Sequence, residues 1–166
     1  DSILAALEEM SENDASRAME VLYKYEKEAA DNARLNEGAI ELLTELKNRK
    51  LPTGLLTRNT QENVDIVCAK FKLEFDGIID RDGGPIKPNP FGVLTLCKQF
   101  NVKPANTMVV GDYYHDMICA REAGAKAVLL KTHPRCEEFF EHCDIAIEKL
   151  TEIIKIIDKE PENNTQ

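Results

Sequence analysis

Four residues in this chain have types and settings suited to handling a phosphate group: Thr57, Lys87, Asp112 and Asp116. Thr57 ends the apolar run Gly54-Leu55-Leu56, and a hydroxyl there can bond a phosphoryl oxygen. Lys87 opens Lys87-Pro88-Asn89-Pro90 and can offset phosphate charge. Asp112 and Asp116 lie in Gly111-Asp112-Tyr113-Tyr114-His115-Asp116, straight after Met108-Val109-Val110. Paired carboxylates suit magnesium, whose preferred ligands are hard oxygens. In an open parallel sheet, ligands bind beyond the carboxyl ends of the strands. Thr57 and Asp112 both fall at predicted strand ends, which is the reason to place them in one site. Each also has an ordinary reading. Thr57 alone reads as a turn or cap residue, and Lys87 alone as a solvated surface group. The aspartates alone read as a helix N-cap followed by an acid near the helix N-terminus, both favourable there. Arg58 and Asn59, next to Thr57, read either as further phosphate contacts or as loop residues.

The elements that must position these residues alternate between helical and strand patterns, the signature of βα units around a parallel sheet. Residues 14–33 carry Ala15, Ala18, Met19 and Leu22 at helical spacing among many charges. A helix after Asn36 has Ala39, Leu42, Leu43 and Leu46 on one face. Strand 53–57 follows, then a helix over 60–71 and a short strand from Phe75 to Ile79. Asn89 caps the next helix with Pro90 at its first position, the favoured use of proline. Strand 107–111 leads into a helix from Tyr114 to Ala123, stopped by Gly124. A strand over Ala127–Leu130, a short helix over 136–142, an edge strand over Asp144–Ile147 and a helix carrying Leu150, Ile153, Ile154 and Ile157 complete the pattern. His115 reads as a loop residue, and His133 and His142 show no partner pattern.

The bulk numbers fit one domain with a sizeable core: 166 residues, 43% hydrophobic and 31% charged. A net charge of −9, with no basic stripe, argues against a nucleic-acid partner. Acidity does not exclude a small anionic substrate, because one lysine, backbone N–H groups and a metal can receive it locally. No apolar run approaches the ~18 residues of a membrane span, and Asp1-Ser2-Ile3-Leu4 has no basic region of a signal peptide. A start without methionine, inside a helical pattern, suggests an upstream segment. The five cysteines are scattered and form no Cys-x-x-Cys pair, which suits a reducing compartment such as the cytoplasm. Cys136, His142 and Cys143 match no standard zinc spacing.

In this order, Thr57, Lys87-Pro88-Asn89-Pro90 and Gly111-Asp112-x-x-x-Asp116 resemble the second, third and fourth motifs of the haloacid dehalogenase (HAD) superfamily, especially its phosphoglycolate-phosphatase-like members. The resemblance spans roughly residues 36–150. It implies an α/β fold: a Rossmann-like parallel sheet flanked by helices, with a partial helical cap. It implies a magnesium-dependent phosphomonoester hydrolase that works through an aspartyl-phosphate on a small phosphorylated metabolite. Thr57, Arg58 and Asn59 would bind phosphate, Lys87 would stabilise the charge on nucleophile and phosphoryl group, and Asp112 and Asp116 would hold the metal. Residues 1–34 would be part of the cap, 35–160 the core and 161–166 a disordered tail; an N-terminal helical hairpin packed on the core is the other reading of the first segment.

The family's first motif, an apolar strand ending in Asp-x-Asp-Gly-Thr, does not occur in these residues. That motif carries the nucleophile, so the chain as it stands is expected to be inactive or nearly so, with the first strand of the sheet missing. Asp80-Arg81-Asp82-Gly83-Gly84 looks similar, but Lys87 follows too soon to leave room for a cap and the Thr57 strand. The alternative function is a non-catalytic module, a truncated isoform that binds phosphate or a protein partner. A phospho-receiver domain also combines Asp, Thr and Lys, yet there the acids come first. Neither the phosphate ester nor the oligomeric state is fixed by the sequence.

Overall fold

A computed structural model describes residues 10–159. Helices α1 (Glu12–Asp31) and α2 (Ala39–Asn48) precede the first strand, β1 (Gly54–Leu56). Then come α3 (Gln61–Phe71), β2 (Gly77–Ile79), α4 (Phe91–Gln99), β3 (Met108–Gly111), α5 (Tyr114–Ala123), β4 (Lys126–Leu130), β5 (Ile145–Ile147) and α6 (Glu152–Lys159). Every strand pair is parallel. This is the α/β architecture expected, with parallel strands and helical crossovers. The segment Cys136–His142 is a 3-10 helix rather than an α-helix. Residues 1–9 and 160–166 lie outside the described residues, and with them the expected tail and the first part of the expected cap.

Local chemistry explains where the helices start and stop. The Ser11 and Thr60 side chains accept from the backbone N–H groups of Asp14 and Asn63, capping α1 and α3. Asn89 Oδ1 accepts from the Phe91 N–H at 2.9 Å, so the expected asparagine cap exists although regular helix is counted from Phe91. Gly124 closes α5 at φ +76°, a left-handed conformation that costs glycine little.

The sheet is in two parts. Among the described residues, β1 pairs only with β2, whereas β4 lies between β3 and β5. β4 is covered on both faces, as a central parallel strand should be. Its Val128 and Leu130 pack with Leu42, Ile147 and Ile153, while Ala127 and Leu129 face Met117, Ala120 and Phe139. Met117, Val128 and Leu129 are fully enclosed, each contributing about 1.5–3 kcal/mol of burial free energy.

Helix α4 holds the two parts of the sheet together. Its Val93 and Cys97 pack with Leu56 of β1 and Val109 of β3 in one cluster. A Cβ built on Gly54 or Gly77 would come within 2.8 Å of Leu96, so glycine there permits the close seating of β1 and β2 on α4. Among the described residues, β1 and β3 therefore each keep one unpaired edge. In a parallel ladder the backbone groups of successive residues point to opposite sides. Since Thr57 N–H donates to Ile79 and Thr107 C=O accepts from Lys126, the N–H groups of Leu56 and Val110 point to the open edges.

Candidate functional site

The candidate residues gather where β1 and β3 end. Thr57 follows β1; its N–H donates to Ile79 C=O at 3.0 Å, and its Oγ1 accepts from Asn59 N–H at 3.1 Å. The hydroxyl hydrogen remains available as a donor. Asn59 Oδ1 accepts from Thr60 N–H at 2.9 Å and from Asn63 Nδ2 at 2.7 Å. Asn63 is buried, so this amide pair fixes the turn against the start of α3. Arg58 lies between them, its carbonyl accepting from Arg81 Nε at 2.8 Å.

Lys87 reaches into the centre of the group. Its Nζ donates to Leu56 C=O at 3.0 Å and to Asp116 Oδ1 at 2.7 Å. One ammonium thus ties the open edge of β1 to the first turn of α5. Lys87 and Asp116 are both mostly buried, where a charge-assisted bond is stronger and its loss costlier than at the surface. The other oxygen of Asp116 accepts from Tyr113 N–H at 3.2 Å, satisfying one of the backbone donors at the helix start. Gly111 makes room for this arrangement, because a Cβ at that position would fall 2.3 Å from Asp116 Cγ. Asp112, just past β3, is half-buried, and its Oδ2 accepts from Thr132 Oγ1 at 3.2 Å.

The donor set suits magnesium on chemical grounds. Magnesium commonly takes one or two carboxylates and completes its shell with waters and substrate phosphate. Asp112 and Asp116 offer hard oxygens on the same loop-to-helix segment. Both Asp116 oxygens already accept bonds, from Lys87 and Tyr113, which suits it to hold a metal-bound water. No group of three or more His, Cys, Asp and Glu forms a metal cluster among the described residues.

Several neighbours were not legible as partners. His115 stands in the first turn of α5 rather than in a loop. Its Nδ1 is buried without a hydrogen-bond partner, and burial, followed by the charge of Arg58, lowers its pKa from the ordinary histidine value. His133 and His142 do have partners: their rings meet Tyr113 and Tyr114 edge-on at 5.0 and 4.9 Å. Tyr113 also meets His115 and Phe139, so an aromatic cluster packs behind the Asp112 loop. Cys119 in α5 is enclosed, and desolvation pushes its thiol up to about 11. Thr132, which bonds Asp112, carries no signal in sequence beyond its residue type, and Arg81 stands out only within the look-alike stretch 80–84, not as a partner of the Thr57 turn. Of the look-alike Asp80 and Asp82, both lie just after β2, and Asp80 Oδ1 accepts from Asp82 N–H in a local turn.

Residues 2–130 match the sequence family described as haloacid dehalogenase-like hydrolase. A haloacid dehalogenase-like hydrolase domain-containing protein of Arabidopsis thaliana is 36% identical over 129 residues, covering 77% of this chain and 53% of that protein. The chain thus spans about half the length of that relative. N-acetylmuramic acid 6-phosphate phosphatase of Pseudomonas putida is 26% identical over 151 residues, covering 84% of this chain and 66% of that protein. Among solved structures, a predicted phosphoglycolate phosphatase from Haemophilus somnus superposes with a TM-score of 0.77 at 23% identity, covering 89% of this chain and 68% of that one; at that identity the likeness speaks for the fold. With the family profile running through the Thr57 turn, Lys87 and the Asp112–Asp116 segment, this chain belongs to the haloacid dehalogenase-like hydrolases.

Proposed function

We propose that this chain forms the greater part of a magnesium-dependent phosphomonoester hydrolase acting on a small phosphorylated metabolite. The observation that carries the reading is the Lys87 bridge, which brings the ends of β1 and β3 together through Leu56 C=O and Asp116. The open edges of β1 and β3 would receive one further parallel strand, ending in an aspartate beside Lys87, Thr57 and Asp112. In that arrangement the aspartate attacks phosphorus and the ester P–O bond breaks. A second carboxylic acid two residues on gives its proton to the leaving oxygen. Water, deprotonated by that same carboxylate, then cleaves the aspartyl-phosphate and releases inorganic phosphate.

The described residues do the holding. Thr57 Oγ1, already oriented by Asn59 N–H, donates its hydrogen to a phosphoryl oxygen. Arg58 and Asn59 add donors on the same turn. Lys87 offsets the charge of nucleophile and phosphoryl group, an electrostatic role. Asp112 would hold magnesium and Asp116 would support it through a bound water, and the ion would screen the like charges of carboxylate and phosphate. Residues 10–34 of the described chain belong to the cap, residues 35–159 to the core, and the protein works in a reducing compartment.

The test compares this chain with one extended upstream by an apolar strand ending in Asp-x-Asp-Gly-Thr. Release of phosphate from an aryl phosphate is followed with and without magnesium. The extended chain should turn over only with magnesium, and Lys87→Met should lower its kcat/KM by roughly 10²–10³. The 166-residue chain should show none of this. Enzyme-like turnover by the shorter chain, or none by either chain despite folding, would overturn the proposal; phosphate binding without turnover in both would favour the non-catalytic module.

A further inference from the structure

Arg81, in the loop after β2, is tied to the Thr57 turn twice. Its backbone N–H donates to Asn59 C=O at 3.0 Å, and its Nε donates to Arg58 C=O at 2.8 Å. The other end of the same guanidinium pairs through Nη2 with Glu26 of α1. The side chains of Arg81 and Glu26 are only 10% and 20% exposed. Tyr23 of α1 faces the same guanidinium, with Arg81 Cζ 6.0 Å from its ring centroid; the other polar contacts described between α1 and the body are of a different kind. Lys27–Glu62 is solvent-exposed, and Lys70 Nζ reaches the carbonyls of Asp31 and Ala33 only beyond the helix end or at its last residue. Exposed pairs of this sort contribute little. Among the described residues, the buried pair is therefore a principal polar link between α1 and the loops around the site.

That link is incompletely satisfied. Among the described residues, Glu26 Oε2 and Arg81 Nη1 are buried without hydrogen-bond partners. Holding α1 in place thus carries a desolvation cost at these two polar atoms, set against its packing on α3 and the Tyr23 ring over the guanidinium. A rigid fork that grips a helix with one nitrogen and a turn with another moves as a unit. A shift of α1 would therefore be felt at the bond to Arg58 through this shared guanidinium.

We propose that Arg81 is a positioning residue that couples α1, through Glu26, to the turn carrying Thr57, Arg58 and Asn59, so that seating of the helix and binding of phosphate at the turn strengthen one another. The coupling to phosphate rests on the reading of that turn as a phosphate site; the coupling of helix to turn does not. Linkage makes the effect reciprocal. Phosphate must favour the seated helix by the same factor by which the seated helix favours phosphate.

The experiment uses the full chain with inorganic phosphate and magnesium as the probe. Phosphate affinity is measured by calorimetry, and backbone amide shifts and hydrogen exchange by NMR. In the parent, saturating phosphate should slow exchange across residues 20–31 about tenfold. Glu26→Gln should abolish that slowing, weaken phosphate about tenfold and shift the amides of Arg58 and Asn59. Arg81→Lys separates the two grips: it keeps a cation for Glu26 but loses the fork, so α1 should stay protected while the Arg58 and Asn59 amides shift. If Glu26→Gln loosens α1 yet leaves those amides and the phosphate affinity as in the parent, the pair is merely structural and the proposal is wrong. If the parent binds no phosphate, the phosphate reading falls. The helix-to-turn coupling is then judged by the amide shifts alone: unchanged amides in both variants overturn it too.

Discussion

At the scale of single residues, the candidate site depends on a few close contacts around Asp116. Removing the Lys87 ammonium leaves the carboxylate of Asp116, whose side chain is 12% exposed, without its cation. Breaking a buried pair from one side costs about 3–5 kcal/mol, so Lys87→Met should lower the urea midpoint clearly. Adding Asp116→Asn should recover part of the loss, which a double-mutant cycle would measure. Gly111→Ala places a methyl group within 2.3 Å of Asp116 Cγ. Overpacking of this kind costs about 1–3 kcal/mol, and NMR should show the Tyr113 amide shifted as the carboxylate moves off it. Cys119 gives a pH signature. Its thiol is held protonated by burial, with a folded pKa of about 11 above the ordinary 9.0. A raised acid pKa gives stability that is full below pH 9 and lost as pH climbs from 9 through 11, up to about 2–3 kcal/mol. The stability difference between the parent and Cys119→Ala should be constant below pH 9, where it reports the lost packing, and change with pH only in that window.

At the scale of elements, caps and glycines decide how helices meet strands. Gly124 ends α5 at φ +76° with nothing within 4 Å of where a Cβ would sit, so an alanine there meets only backbone strain. That strain is about 1–2 kcal/mol. Gly38, at φ +83°, starts α2, and Thr151 Cγ2 lies only 2.7 Å from the place a Cβ would take. Gly38→Ala should therefore lower the melting temperature more than Gly124→Ala, because it forces apart α2 and the segment leading into α6 as well. Equal effects would mean that the α2–α6 contact gives way freely.

At the scale of the whole molecule, the division of the sheet is the governing feature. α4 and the Lys87 bridge hold β1 and β3 in one body while leaving an edge of each unpaired among the described residues. Open edges invite pairing. The amides of Leu56 and Val110 should exchange quickly in this chain, whereas those of Thr57 and Val128 should be protected. Supplying the upstream strand of the extended chain should protect Leu56 and Val110 together, at least about a hundredfold, because the proposed strand would lie between them. Protection of one without the other would count against a single strand seated between them.

Much of this was readable along the chain, for reasons that are local. Alternating apolar periods, the Asn89-Pro90 helix start and Gly124 at the end of α5 follow from steric and hydrogen-bond rules acting within a few residues. The types and order of Thr57, Lys87, Asp112 and Asp116 carried the resemblance from which a phosphate and magnesium site was expected. Contacts between residues far apart in sequence were another matter. That Lys87 bonds Leu56 and Asp116, that Thr132 meets Asp112, and that Arg81 joins Glu26 to Arg58 required the strands and helices to be assembled first. A sequence specifies which groups a segment carries and how that segment folds locally; which groups face each other across the body is set by packing among segments, and only the tertiary structure fixes that.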